Sequence, residues 1–524
     1  MKSPLQRERE RRSWTQEFVA DQIGNLLGPR RGYLSLGIDA NAVSRHERGA
    51  VTIPRDPYPA LYAELYDTPI ESLWPHVQQA AGHELRVHAL LAWMADHAGV
   101  SVQLAYDTVV ARARQRTAHD PAERYARADQ QPRVSRTQIA QTLIDWYGDD
   151  GSAGFYRATV GTEPITSSML VRPQWIDAAV RLGTDQEEFQ FQPSIHIETL
   201  TSEGSVQAAL DRLAAVEAAG TVLDNHPIFR LLDVAVTRDR LTATVALTDF
   251  ASYALTMDLL EQELIDTISR RIFGDLPLRR CYLPTVASAL DLDARVCVGG
   301  PVALLAAARP GHRNRKPDYA LLVQERSSRV LNVPGKLAVT PKAFHRPVIE
   351  AADEAQLSAS LERELEEELL GRHDLEQPAR IADPFHPQRR SQPTAWLHAH
   401  PDAYRIECVG FGINMVTGNY EFACLVLIDD ETWWERFAGQ IEANWETQRI
   451  RRYSSHDTAG LQALIADPLW SNEGLFAFLQ GLRRLGQVGS MSRLALPSID
   501  VGVAWPTTGT SETPPGTGAT VAAG

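Results

Sequence analysis

Residues 42–49 read Ala-Val-Ser-Arg-His-Glu-Arg-Gly, and behind them residues 15–24 read Thr-Gln-Glu-Phe-Val-Ala-Asp-Gln-Ile-Gly. Both stretches have the pattern of short helices meant to cross. Thr15 is a residue type that caps a helix start, with Gln16 and Glu17 in the first turn. The Gln16 amide is therefore expected beside unpaired backbone N–H groups, where a phosphate can bind. Ala20 is small enough for a second helix to pass closely, and Gly24 suits the left-handed backbone of a turn. In the second stretch Asp39 can cap and Val43 points to a core. Ala40, Asn41, Ser44 and Arg45 then form an outward N-terminal face, where Arg suits guanine and Asn suits adenine. Arg48 and Gly49 end the helix.

This two-part pattern resembles the helix-turn-helix of the phage-repressor (XRE-like) transcription regulators, over roughly the first 75 of 524 residues. The resemblance implies double-stranded DNA as partner, read by a homodimer on two half-sites. The chain departs from the family in one respect. Where the turn glycine normally leads straight into the recognition helix, Gly24 is followed by a 13-residue insertion before Gly37 resumes the register. Arg30 and Arg31 in that insertion read either as further phosphate contacts or as an ordinary solvated loop. Downstream, Pro57 to Tyr66 reads as a packing helix and Thr68 to Trp74 as its ending.

Charge separates this head from the rest of the chain. Residues 1–55 carry 10 Lys+Arg and 6 Asp+Glu, net +4, whereas the remainder carries 42 and 60, net −18. Only the head suits a polyanion. With 44% hydrophobic and 23% charged residues, the chain has room for several domains. It shows neither an apolar leader segment nor a run long enough to span a bilayer, so the expected compartment is the cytoplasm, with no membrane partner. Cys281, Cys297, Cys408 and Cys424 are scattered in apolar contexts and read as buried free thiols. Four lysines against 48 arginines point to a GC-rich bacterial genome.

After Trp74 the pattern is helical, with apolar residues at helical spacing in 84–99, 102–114 and 135–147. From about residue 150 it is mixed. Residues 205–219 read as a helix, 241–247 alternate as a half-buried strand, and 254–272 read as one long helix.

Apolar runs at 295–307 and 319–324 predict adjacent strands, and a strongly acidic helix follows. Asp353 with Gln356 reads as its capping box, Leu357, Leu361, Leu365 and Leu369 as its buried stripe, and Gly371 as its stop. Arg363 to Glu368 spell Arg-Glu-Leu-Glu-Glu-Glu. On an α-helix Glu364, Glu367 and Glu368 share a face and can converge on magnesium or manganese, with Arg363 holding the cluster in place through Glu367. A hairpin over 404–428 and a helix over about 430–441 come next.

The six-residue run resembles the core of the Nudix box, which implies an αβα sandwich over about residues 287–488, metal ligands at Glu364, Glu367 and Glu368, and a catalytic role for Glu367. Around it the pattern is altered. Ile349 and Ala355 stand where the family has glycine and glutamate, Glu354 is one residue off, and Leu370 precedes Gly371 at the glycine position.

The expected fold is thus α+β and multidomain: a helix-turn-helix at 1–78, a helical domain at 79–150, an α/β domain at 151–286, the Nudix-like sandwich at 287–488, and a tail at 489–524, disordered from about 505. The expected function is sequence-specific transcription regulation in response to a nucleotide-type ligand. The alternative is a metal-dependent nucleoside-diphosphate-X hydrolase carrying a DNA-binding head.

Overall fold

In the computed structural model the described residues are 3–12, 14–27, 40–47, 58–66, 68, 73, 87–117, 134–148, 151–200, 202–219, 223, 225–270, 275–312, 315–326, 335–348, 350–369, 390–441 and 447–504. The protein is mixed α+β and divides into two units, Met1–His88 with Asp374–Pro384, and Ala89–His373 with Phe385–Gly524. The insertion at 24–37 beyond Leu27, Gly371, and the tail from 505 lie outside the described residues.

The first unit contains α1 (Pro4–Arg11), α2 (Gln16–Leu27), α3 (Ala40–Glu47) and α4 (Tyr58–Tyr66). Their starts follow local chemistry. Ser3 accepts the Gln6 N–H at 3.2 Å ahead of Pro4, and Thr15 accepts the Phe18 N–H at 3.1 Å. Leu5, Val19, Ala20, Ile23, Val43, Leu61, Tyr62, Tyr66 and Leu73 make one small core. Ala20, the small residue expected where a second helix crosses, is buried in that core.

The second unit begins with α5 (His88–Ala98), α6 (Val102–Thr117) and α7 (Arg136–Tyr147), close to the expected helices. The strands are β1 (Gly154–Val160), β2 (Glu163–Val171), β3 (Val180–Arg181), β4 (Glu187–Ile195), β5 (Pro227–Val236), β6 (Leu241–Asp249), β7 (Gly299–Arg309), β8 (Asp318–Arg326), β9 (Leu337–Val339), β10 (Tyr404–Asn414), β11 (Asn419–Ile428), β12 (Thr447–Ser454) and β13 (Ile499–Ala504). Between and after them run α8 (Glu203–Ala219), α9 (Leu259–Arg270), α10 (Pro277–Tyr282), α11 (Val286–Leu290), α12 (Leu357–Glu364), α13 (Gln392–Ala399), α14 (Glu431–Phe437), α15 (Thr458–Ile465) and α16 (Asn472–Val488).

The large sheet has the order β12-β8-β7-β11-β10-β2-β1-β13, with β3 on β10 and β9 on β8; β4, β6 and β5 form a separate small sheet. The pair β7–β11 is parallel, whereas β7–β8 and β10–β11 are antiparallel. Alternate residues of a strand face opposite ways. Val302, Leu304, Ala306 and Ala308 join Ala423, Leu425 and Leu427 in a core with Phe476, Leu479 and Leu482 of α16. Ala303, Leu305 and Ala307 are buried on the other face, and α12 packs on β7. Gly481 permits the close approach of α16, since a Cβ there would lie 2.8 Å from the Leu304 Cβ.

The sheet is built across the boundary expected at residue 286. Leu170 pairs with Ile413 and Met169 with Asn414, so β1 and β2 extend the sheet that contains β7 to β12. Residues 489–504, expected as tail, include β13, which pairs with β1 along its length. The expected helix over 254–272 is also broken. A π-helical turn at Tyr253–Met257 precedes α9, and the Thr256 hydroxyl donates to the Ser252 carbonyl within the widened turn. All four cysteines are unbonded, but Cys281, on α10, is exposed. No helix among the described residues is long and apolar enough to cross a membrane.

Candidate functional site

On α3, three residues turn inward. Val43 is fully buried, the His46 ring meets the Tyr62 hydroxyl at 3.1 Å, and Glu47 is 4% exposed. A buried carboxylate is costly unless it is paired and hydrogen-bonded. Arg9 of α1 supplies a two-point clamp, Nε to Oε1 at 2.5 Å and Nη2 to Oε2 at 3.0 Å, while Gln16 Nε2 donates to Oε2 at 2.8 Å. The Glu47 hydrogen bond holds the Arg9 guanidinium above its ordinary pKa. The Gln16 amide, expected at a phosphate, is thus engaged at the α2–α3 junction.

Residues three and four apart share a helix face, so inward Val43, His46 and Glu47 leave positions 40, 41, 44 and 45 on the rest of the helix. Ala40 and Ser44 are half-buried. Asn41 and Arg45 lie in α3, and their side chains fall outside the described residues.

The acidic helix departs from the expected arrangement in three ways. Gln356 is the N-cap but makes no cap with its side chain, which instead exchanges hydrogen bonds with the Phe189 backbone at 3.2 and 3.3 Å. Glu187 of β4 accepts the Ser358 N–H at 3.1 Å, so a neighbouring strand does what a capping box would have done. Second, Arg363 pairs directly with Glu354 at 3.5 Å and donates to the Arg346 carbonyl at 3.2 Å. Burial pushes the Arg363 pKa down, aided by Arg346, against the fields of Glu364, Glu367 and Glu354. Glu354 also accepts the Val348 and Glu350 N–H groups at 2.8 and 2.9 Å, so the ion pair fixes the chain entering the helix.

Third, the α-helix ends at Glu364, and Leu365–Leu369 form a π-helical turn. The i, i+3, i+4 convergence expected of Glu364, Glu367 and Glu368 belongs to α-helical bonding and does not carry through it. Glu368 Oε2 accepts the Thr340 hydroxyl at 2.8 Å and the Lys342 N–H at 3.0 Å. Glu366 accepts the Ser391 N–H at 2.9 Å and its hydroxyl at 3.0 Å. Glu364 is half-buried and Glu367 is buried within the turn. Among the described residues no group of three or more His, Cys, Asp or Glu side chains is arranged to hold a metal ion. The apolar stripe Leu357, Leu361, Leu365 and Leu369 is buried throughout.

Beside Glu368 lies a polar network that the sequence reading missed. Lys342 Nζ donates to Glu473 Oε1 at 2.8 Å, and Asn414 Nδ2 donates to Glu473 Oε2 at 3.3 Å. Burial pushes Glu473 up, but Lys342 outweighs it and leaves the carboxyl below its ordinary pKa. Glu421 shares a sheet face with Asn414; burial raises it to about 8, with Lys342 opposing and Glu473 adding to the rise. Glu261, in the first turn of α9, is raised to about 7 by burial and by Asp258 and Glu473.

Asn419 Nδ2 donates to the Tyr253 hydroxyl at 3.2 Å, which donates to Asp258 Oδ1 at 3.1 Å, and Arg212 pairs with Asp258. The π-helical turn at 253–257 thus contributes Tyr253 to this second cluster, and the turn at 365–369 contributes Glu368 beside Lys342. Such turns occur often at functional sites. Chemically, the network sets a lysine-paired carboxylate beside two carboxyl groups that titrate near neutral pH, a set able to donate and accept protons. No spacing in the sequence pointed here: positions 342, 414 and 473 lie on separate segments far apart in the chain.

No protein-family model matches this chain, and no curated protein matches it in sequence.

Proposed function

We propose that the protein is a sequence-specific DNA-binding transcription regulator whose N-terminal unit reads duplex DNA through α3. The observation that carries this reading is the Arg9–Glu47–Gln16 junction. It ties the C-terminal end of α3 to α1 and α2, which supports the N-terminal half of α3 as the part that reads the groove. The basic balance of residues 1–55 supports the same reading. The regulator acts as a homodimer on an inverted repeat, in the cytoplasm. The larger unit is its regulatory half, responsive to a nucleotide-type ligand; the acidic helix lying between β9 and β10 on a sheet covered on both faces supports this assignment.

The test is selection of a preferred site from a random duplex pool with the full chain, followed by titration at fixed salt. Asn41→Ala and Arg45→Ala are each expected to weaken binding at that site by about 1–3 kcal/mol and to relax its sequence preference. Equal affinity for random and selected duplexes sinks the regulator reading.

A further inference from the structure

Among the described residues the sheet ends at β12, which pairs with β8 on one side only. Its other edge borders a groove of about 890 Å³ lined by Ile441, Arg449, Ile450, Arg451, Arg452 and Tyr453. A strand carries alternate residues on opposite faces, so five successive lining residues mean that the groove follows the strand edge itself. At such an edge the outward N–H and C=O groups are a template for another strand.

The side chains give the template a sign. Arg451 is taken, paired with Glu325 at 2.7 Å. Arg449 and Arg452 are exposed and have no carboxylate partner among the described residues. Arg452 is held in position by other means, with its guanidinium 5.7 Å from the Trp434 ring centre and Nη2 donating to the Ala438 carbonyl at 3.5 Å. Arginines on an edge also serve simply to deter strand addition. That role accounts for the charge but not for a concave groove with Ile441, Ile450 and Tyr453 in its lining, nor for an arginine held against an aromatic ring. Three arginines in four residues stand out in a chain of net charge −14.

We propose that the free edge of β12 is a docking site for an extended acidic segment of a partner protein, which adds to the sheet as a further strand. Backbone hydrogen bonds supply the attachment, Arg449 and Arg452 select carboxylates on the two faces of the added strand, and Ile441, Ile450 and Tyr453 receive its apolar side chains.

The probe is an eight-residue glutamate-valine peptide with the repeat Glu-Glu-Val-Val, which puts carboxylates and apolar side chains on both faces of a strand, titrated against the full chain by anisotropy. It is compared with a lysine-valine peptide, the glutamate-valine peptide N-methylated at alternate residues, and oligothymidylate. The expected result is binding of the glutamate-valine peptide alone, weakened at least ten-fold by R449E/R452E, with slowed amide exchange over residues 449–453. Equal binding of the N-methylated peptide overturns strand addition. Tighter binding of oligothymidylate through the same two arginines makes the groove a nucleic-acid surface instead. Self-association that R449E/R452E abolishes assigns the edge to a second copy, and absence of all binding leaves the arginines as an edge guard.

Discussion

Lys342 and Glu473 show how much one buried pair can decide. The side chains are 13% and 3% exposed, so removing the lysine leaves a carboxylate inside the protein without its cation. Lys342→Met is expected to destabilise the larger unit by about 3–5 kcal/mol, and adding Glu473→Gln should recover most of that loss. Urea midpoints of the single and double variants check both statements. Glu421 makes a different statement, about pH. Its carboxyl titrates near 4.5 in an unfolded chain and about 8 in the folded one, so between those values the folded state holds a proton that the unfolded state has released. Its contribution is complete below pH 4.5 and is lost as pH rises through about 8. Glu421→Gln removes this dependence. The variant should therefore gain stability relative to the parent between pH 5 and pH 8.5, and a constant difference in urea midpoint across that range would show that Glu421 ionises in the folded protein as it does in water.

At the scale of elements, close packing makes a sharper demand than composition. Gly481 faces Leu304 so closely that Gly481→Ala should cost about 1–3 kcal/mol by overpacking, although alanine favours the helix, and a lowered melting temperature checks it. The elements legible in the sequence were those with a local cause. Thr15 caps α2, β10 and β11 pair antiparallel where a hairpin was expected, and Leu357 to Leu369 forms a buried stripe. The illegible features depend on residues far apart in the chain. Glu187 rather than Asp353 serves the start of α12, and the Gln356 side chain that should have capped it is taken by the Phe189 backbone. The polar clusters draw on positions 212, 253, 258 and 419 and on 342, 414 and 473, with Glu261 and Glu421 in the field of Glu473, sets with no spacing to read. For the same reason nothing local announced that strands from both sides of residue 286 share one sheet, since pairing of β2 with β10 is a contact across more than two hundred residues.

For the whole molecule, a small basic head and a large acidic body must act as one device if the protein regulates transcription. A ligand on the larger unit can change DNA binding only by favouring one of two states unequally, and DNA must then change ligand affinity by the same factor. A coupling of about 1–3 kcal/mol is typical, equal to a change of roughly 5- to 150-fold in affinity. Nucleotides and nucleotide sugars that raise the melting temperature of the full chain supply the ligand. Its affinity measured with and without the selected duplex should then shift by the factor by which it shifts duplex affinity. Two unchanged affinities would separate the halves: the head would still bind its site, but the larger unit would not be its sensor.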